Sequence, residues 1–224
     1  MAWIDRQVPE GDEIFYDHIG YFVPSLETAG AQLEKLGFQV SAINIQYNEN
    51  EAGELIPTGT SNRLAKLNRG FIEVLAATGE SALADQLLAM LARYQGLHVI
   101  ALTHPDMTRT ATRLSDAGID MQDAVNLRRK VMVDSTETLM EFTVARVKPG
   151  TFPEGRLQIL TCHTPENFWL PGDMDHANRA DTLTDLLICV EDVAEVSARY
   201  ERFFGKAAKK VGGLETLDLA RGRF

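Results

Sequence analysis

The chain contains few cysteines and no long apolar segment, and each absence excludes a class of protein. Only two cysteines, Cys162 and Cys189, occur among 224 residues. Both lie in apolar runs, which favours packed, reduced thiols over a disulfide and predicts a cytoplasmic protein. No apolar run approaches the roughly 18 residues that span a bilayer, and residues 1–6 lack the basic and apolar pattern that predicts a leader sequence. We therefore expect no membrane association.

Basic charge is also scarce. The chain has 22 basic and 32 acidic residues, for a formal net charge of −10. Binding to a phosphate backbone needs clustered cations, so we expect no nucleic-acid partner. The glycine-flanked serine of hydrolases, the phosphate-binding loop and the dinucleotide-binding glycine motif are missing as well.

A long repeat organises the chain. Three times, an apolar run leads into a helix-capping residue, and a glycine follows twelve or thirteen residues later. The caps are Ser25, Asp106 and Asp192, and the glycines are Gly37, Gly118 and Gly205. The caps are 81 and 86 positions apart, whereas solenoid repeats run about 20 to 50 residues. The spacing indicates a duplicated half-domain, with the functional site where the copies face each other.

The first two copies are each predicted to contain a strand, a helix and three further strands, in the order βαβββ. The first module covers 14–78, a linking helix covers 79–95, and the second module covers 96–170. Within the first module, the polar stretch Asn48–Ser61 contains Gly and Pro and is predicted to be a loop.

A partial third module is predicted over 182–224. It begins with a predicted strand at Thr184–Val190, continues with a helix capped by Asp192, and then has room for little more than one strand. Either the chain has been cut, or the unfinished edge is covered by another element or by a second molecule. A homodimer is therefore possible.

Several short motifs occur in a distinctive order. They are Asp17–Val23, Leu36–Phe38, Gly59–Arg63, Gly70–Leu75 and Cys162–Glu166 followed by Trp169. Together they resemble the vicinal oxygen chelate superfamily of glyoxalases, bleomycin resistance proteins and extradiol dioxygenases, and within it the glyoxalase-like domain branch. The resemblance implies an α+β fold, in which repeated βαβββ modules pair into a curled, incomplete-barrel mixed sheet with helices outside.

The same resemblance implies a divalent metal ion, Zn, Fe, Mn or Ni, in the concave cavity. The first and fourth strands of each module would supply its ligands, and His18 and Glu73 match the two positions of the first module. Their strand faces are otherwise apolar, with Phe22 and Phe71, as expected for inward-facing ligands. The alternatives are a strand-edge histidine hydrogen-bonded to a neighbour for His18, and a rim carboxylate paired with Arg63 or Lys66 for Glu73.

The second module does not repeat these ligands. Aligned on its helix cap, it places Val99 and Ile159 at the two remaining positions, and neither side chain binds metal. His163 shares the alternating face of Ile159, so it is a candidate third metal ligand or general base. The alternative is a histidine that caps the following turn.

Other side chains are candidates for substrate contacts. Phe22, Asn62, Arg63 and Phe71 are predicted to line the cavity. Arg63, Arg129 and Arg146 lie in or beside predicted strands, where an inward-facing arginine would bind a carboxylate through two hydrogen bonds. Solvent exposure is the alternative for each arginine.

These expectations lead to two hypotheses. The first is a metal-dependent lyase, isomerase or dioxygenase acting on a small oxygenated organic molecule, with Glu73 and His163 as catalytic residues. The second is a metal-free protein that binds or sequesters a small molecule in the same cavity. Membership of such a fold does not by itself select a reaction.

Overall fold

The structure is a computed structural model that describes residues 6–49, 52, 54–133 and 135–224. Residues 1–5, part of the segment searched for a leader, and residues 50, 51 and 53 of the predicted loop lie outside the described residues. No described helix is long and apolar enough to cross a lipid bilayer.

Ten strands and four α-helices are described. In chain order they are β1 (Phe15–Phe22), α1 (Leu26–Lys35), β2 (Asn44–Glu49), β3 (Leu55–Lys66), β4 (Phe71–Ala77), α2 (Ala82–Arg93), β5 (Gly96–Thr103), α3 (Met107–Asp116), β6 (Val125–Val133), β7 (Thr136–Arg146), β8 (Arg156–Cys162), α4 (Val193–Phe204), β9 (Lys209–Val211) and β10 (Leu214–Thr216). A short 3-10 helix, Pro165–Asn167, follows β8.

Eight strands form one mixed sheet in the order β2-β3-β4-β1-β5-β8-β7-β6. β1 pairs in parallel with β4 and antiparallel with β5, and β5 pairs in parallel with β8. The two edge strands, β2 and β6, approach each other, so the sheet curls into a nearly closed barrel. The predicted fold class is confirmed.

The helix boundaries follow the predicted caps. The side chains of Ser25, Asp106 and Asp192 each accept a hydrogen bond from a backbone N–H three residues later. This bond satisfies a donor that the first helical turn leaves without a partner. All three closing glycines have positive φ, a backbone conformation that side chains disfavour.

Apolar side chains fill both faces of the sheet. On the convex face, Ile100 and Ile159 pack with Tyr200, Phe203 and Phe204 of α4. On the concave face, a second cluster contains Phe22, Phe71, Val99, Leu160 and Trp169. Helix α4 therefore covers part of the convex side of the sheet, whereas the concave side borders a cavity.

Two predicted elements differ in the structure. The predicted loop is partly strand, because β3 begins at Leu55 and includes Pro57. Pro57 is tolerated because this end of β3 pairs with β2 alone, so its missing N–H interrupts no second ladder. Thr184–Val190 contains no regular strand, because its backbone pairs only through an isolated bridge at Asp185. Its side chains Leu186 and Ile188 nevertheless pack against the convex core.

The two cysteines are free, and they differ in exposure. Cys162 is buried in the concave core, whereas Cys189 is exposed, which corrects the expectation that both are core thiols. The reason is that Cys189 lies in the segment that forms no strand. Burial raises the pKa of the Cys162 thiol to about 12, and the nearby Asp17 carboxylate contributes in the same direction.

A thiol titration should therefore separate the two cysteines. In the folded protein at pH 8, we expect one thiol, Cys189, to react rapidly with an aromatic disulfide reagent. Cys162 should react only after unfolding, because its thiolate is scarce and shielded. Cys189→Ser should abolish the rapid phase, and two rapid thiols in the wild type would contradict the described burial.

Candidate functional site

The concave face of the sheet encloses a cavity of about 920 Å³. His18 of β1, Glu73 of β4 and Gln158 of β8 line it on strands near the centre of the sheet. Gly20 lies opposite Glu73 in the pairing of β1 with β4, and a Cβ atom there would come within 2.8 Å of the Val99 Cβ. The absence of a side chain at this position lets β1 and β5 pack closely below the Glu73 carboxylate.

The His18 ring is held from behind by its sequence neighbour. Its Nδ1 lies 2.5 Å from Oδ1 of Asp17, and both side chains are buried. The pairing of β1 with β5 shifts register between Tyr16 and His18, and such a bulge changes the direction of a side chain. Asp17 thus lines the cavity together with His18 although strict alternation predicts opposite faces.

This contact sets the tautomer of the imidazole. With a carboxylate as acceptor, the neutral imidazole is the tautomer that carries its proton on Nδ1 and its lone pair on Nε2. The Nε2 atom faces Glu73 and Gln158. The lone pair thus points into the space between His18, Glu73 and Gln158, which we call the hollow. The sequence reasoning missed Asp17; the only available signal was an acidic residue directly before the candidate histidine.

Glu73 and His18 converge in this hollow. The Nε2 atom of His18 lies 3.6 Å from Oε2 of Glu73. The other carboxylate oxygen, Oε1, accepts a hydrogen bond of 2.6 Å from Asn62 Nδ2. The ring of Phe71 stacks on His18 with centroids 4.4 Å apart. The carboxylate and the imidazole are therefore buried, oriented and adjacent.

Gln158 is the counterpart of Glu73 in the second half of the sheet. In the first half of the sheet, His18 of β1 pairs with Phe71 of β4, and Glu73 lies two residues after Phe71. In the second half, Val99 of β5 pairs with Arg156 of β8, and Gln158 lies two residues after Arg156. The amide Nε2 of Gln158 lies 3.4 Å from His18 Nε2, and its buried Oε1 has no hydrogen-bond partner among the described residues.

The prediction of Ile159 at this position was wrong by one residue. Ile159 packs in the convex core, because a shift of one residue moves a strand side chain to the other face. Val99, by contrast, lies in the concave core as expected. Gln158, a polar residue between Leu157 and Ile159, was the signal that could have identified the correct register.

His163 does not join the hollow, and its proposed role as a third ligand or general base is corrected. It follows β8, is exposed, and its Nε2 lies 2.9 Å from Thr143 Oγ1. On β8, Gln158 and Leu160 face the cavity, so the alternating residues point the other way. Ile159, whose face His163 was predicted to share, is one of these and packs in the convex core. In the described part of the chain, no three His, Cys, Asp or Glu side chains form a group suited to hold a metal ion.

The predicted substrate-binding residues divide between two sides of the sheet. Asn62 and Phe71 line the cavity. Phe22 is buried in the concave core, where it stacks on the His98 ring at 4.7 Å.

Arg63 lies on the opposite side, and its predicted role in substrate binding is corrected. Its guanidinium contacts Glu34 of α1 at 2.8 Å and donates to the Ser41 carbonyl. Since Asn62 faces inward, strand alternation directs Arg63 outward.

Arg128 lines the cavity and pairs with Glu141, and three further arginines line it as well: Arg129 of β6, Arg146 of β7 and Arg156 of β8. Desolvation by burial lowers the pKa of all three, for Arg156 to about 10, and the neighbouring Arg146 cation lowers that of Arg156 further. Two of them, Arg129 and Arg146, were candidates from the sequence with solvent exposure as the alternative. The structure places them at the cavity instead.

Comparison with known proteins agrees with this architecture. The family model described as "Glyoxalase-like domain" matches residues 16–204. The chain therefore belongs to the glyoxalase-like domain family, and the resemblance to the vicinal oxygen chelate superfamily is confirmed. No curated protein matches the sequence significantly.

Solved structures add a likeness in fold. A hypothetical protein from Staphylococcus aureus has a TM-score of 0.66 at 12% identity, over 94% of this chain and 84% of that one. Methylmalonyl-CoA epimerases from Streptomyces coelicolor and Mycobacterium tuberculosis have TM-scores of 0.47 and 0.45 at 18% and 17% identity. Each match covers 66% of this chain, with 97% and 87% of the respective epimerase. At these values the epimerases carry no information about the reaction of this chain.

Proposed function

We propose that the chain is a metal-dependent enzyme of the glyoxalase type that acts on a small oxygenated organic molecule, with His18 and Glu73 as metal ligands. The observation that carries this proposal is the 3.6 Å separation of His18 Nε2 and Glu73 Oε2 in a buried hollow. Two ligand atoms that each lie about 2.1 Å from one ion are at most about 4.2 Å apart.

The chemistry of the donors fits a divalent ion. An imidazole nitrogen and a carboxylate oxygen suit Zn²⁺, Fe²⁺, Mn²⁺ or Ni²⁺. The amide of Gln158 supplies a third donor when its unpartnered Oε1 faces His18, since amide nitrogen and oxygen exchange places by a simple rotation. A bound cation would stabilise negative charge that develops on a substrate oxygen.

The surrounding residues prepare this site for chemistry. Asp17 orients the imidazole, and Asn62 holds one oxygen of Glu73 while the other faces the hollow. Phe71 and its apolar neighbours shield both groups from water, which strengthens their electrostatic interactions. Glu73 is thus placed to accept or return a proton of a bound substrate.

A metal-free binding protein is the second candidate. It is favoured by the incomplete donor set, because Val99 occupies the position that matches His18 in the second half of the sheet. In that case the same large cavity sequesters a small molecule without chemistry. The cytoplasmic location is part of both proposals.

Titration calorimetry with Zn²⁺, Mn²⁺ and Ni²⁺ on untagged protein tests the enzyme proposal. We expect one ion per chain, and we expect Asp17→Asn to weaken binding by about 10- to 100-fold, as is typical when the partner of a ligating histidine is removed. Asp12→Asn is the matched control, because Asp12 forms an exposed ion pair with Arg109. If none of the three ions binds, the metal-free alternative replaces the proposal.

A further inference from the structure

The charge of the cavity differs in sign from that of the whole chain. The formal net charge of the chain is −10. Cations nevertheless outnumber carboxylates along the cavity: the basic side chains are Lys66, Arg128, Arg129, Arg146 and Arg156, and the acidic ones are Asp17, Glu73 and Asp173. An electropositive cavity in an acidic protein attracts anions.

Two of these cations are paired within the protein. Lys66 contacts Asp173 at 2.7 Å, and Arg128 contacts Glu141 at 2.9 Å. Arg129, Arg146 and Arg156 take part in none of the ion pairs found among the described residues. The cavity therefore contains three guanidinium groups without a carboxylate partner from the chain.

The unpartnered donors are buried. The Nε atoms of Arg146 and Arg156 have no hydrogen-bond acceptor in the described part of the protein. Burying a cationic donor without a partner costs free energy, and the cost rises when a second cation is near. The lowered pKa of each of the three arginines has the same cause, desolvation. An anionic ligand would offset this cost.

Two of the arginines, Arg146 and Arg156, lie next to the proposed metal site in the sheet. Arg146 pairs with Gln158 between β7 and β8, and Arg156 precedes Gln158 by two residues on the same strand face. Two residues along a strand span roughly 7 Å. A ligand group bound to the arginines would thus lie within a few bonds of a group that reaches His18 and Glu73.

The mouth of the cavity carries exposed apolar side chains beside the polar Asn44, Asn48 and Arg128. Ile43, Ile45, Leu55 and Met132 line the cavity and are 44%, 53%, 42% and 60% exposed. They lie in or beside β2, β3 and β6, near the place where the two edge strands approach each other. Exposed apolar side chains at the rim of a cavity are typical of a site that covers an apolar part of a ligand.

We propose that Arg129, Arg146 and Arg156 form a subsite for the carboxylate of an organic acid whose apolar arm extends to the cavity mouth. A guanidinium that offers its Nε and one Nη atom matches the two oxygens of a planar carboxylate. The inference rests on the proposed function for the reacting end of the molecule, an oxygenated carbon that faces His18 and Glu73. The subsite itself is independent of metal.

Binding of phenylbutyrate and of its uncharged analogue phenylbutyramide, measured by calorimetry in the presence of EDTA, tests the subsite. We expect the acid to bind at least about tenfold more tightly than the amide, since a hydrogen bond between charged groups contributes roughly that much. Arg146→Gln and Arg156→Gln should each weaken binding of the acid by about tenfold or more and leave binding of the amide unchanged. Arg128→Gln, which removes a paired arginine, should bind the acid like the wild type.

Thermal unfolding distinguishes a ligand role from a structural role. If the arginines serve to bind a ligand, Arg146→Gln and Arg156→Gln should unfold at the same temperature as the wild type or higher. Each substitution relieves repulsion between buried cations. Lower unfolding temperatures for both variants would indicate a structural role and overturn the proposal.

Three further results would also overturn it: equal binding of acid and amide, equal losses in Arg128→Gln and Arg146→Gln, or tighter binding of inorganic sulfate than of the acid. Metal titration of the same arginine variants separates this proposal from the proposed function. Binding of the acid without any binding of metal leaves the subsite standing and removes the metal-dependent enzyme. Binding of metal without preference for the acid over the amide supports the metal-dependent enzyme and rules out the carboxylate subsite.

Discussion

His18→Ala and Glu73→Ala are each expected to weaken metal binding by more than about 100-fold, beyond the effect of losing a residue that only orients a ligand. Each substitution removes one of the two strongest donors of the hollow, and their ligand atoms lie only 3.6 Å apart. Elemental analysis of protein purified without a histidine tag, followed by titration with Zn²⁺, measures the loss.

The control for this experiment is His163→Ala. His163 is exposed and contacts Thr143 away from the hollow, so its removal should leave metal binding unchanged. Circular dichroism checks that each variant keeps its fold, and Glu73→Gln provides a variant that retains shape and the hydrogen bond to Asn62. Wild-type metal content in both His18→Ala and Glu73→Ala would rule out the proposed ligands.

Phe203→Ala is expected to lower the free energy of unfolding by about 3–5 kcal/mol, the usual cost of deleting a buried aromatic ring. Phe203 is 0% exposed and contacts Phe152 and Phe204 with ring centroids 5.4 and 5.2 Å apart. The substitution leaves a cavity between α4 and the convex face of the sheet. Urea unfolding monitored by tryptophan fluorescence and circular dichroism gives the free-energy difference.

Leu187→Ala serves as the comparison, because Leu187 is 68% exposed and its loss should change stability by less than about 0.5 kcal/mol. The result for Phe203→Ala also tests the organisation of the chain. A loss below about 1 kcal/mol, far short of the usual cost of a buried ring, would mean that the segment containing α4 unfolds separately from the sheet.

Much of the fold was predictable because helix ends and strand faces have local causes. Ser25, Asp106 and Asp192 cap their helices by bonds to residues only three positions away, which a sequence displays directly. The strand at Leu55–Ser61 was not predictable, since Pro57 is acceptable there only because one neighbouring strand is absent at that level of the sheet. Strand pairing is a property of the assembled sheet.

The candidate site was predictable in part. His18 and Glu73 lie together where the family resemblance placed them. Asp17 was missed because a bulge overrides alternation, and Gln158 was missed because the register of β8 differs by one residue from the count along the chain. In each case the predicted register was off by one residue, and such a shift moves a side chain from one face of the strand to the other.

The amino-acid sequence by itself determined the duplicated βαβββ plan, the helix boundaries and the imidazole and carboxylate of the first half, because each depends on periodicity, capping chemistry or short motifs. Only the tertiary structure decided which further side chains meet them. Gln158 and the three arginines that have no carboxylate partner among the described residues reach the cavity through the pairings of β5 with β8, β7 with β8 and β6 with β7. Whether a cation is paired with a carboxylate depends on which distant carboxylates the folded sheet brings within reach, and this information is not local to any segment.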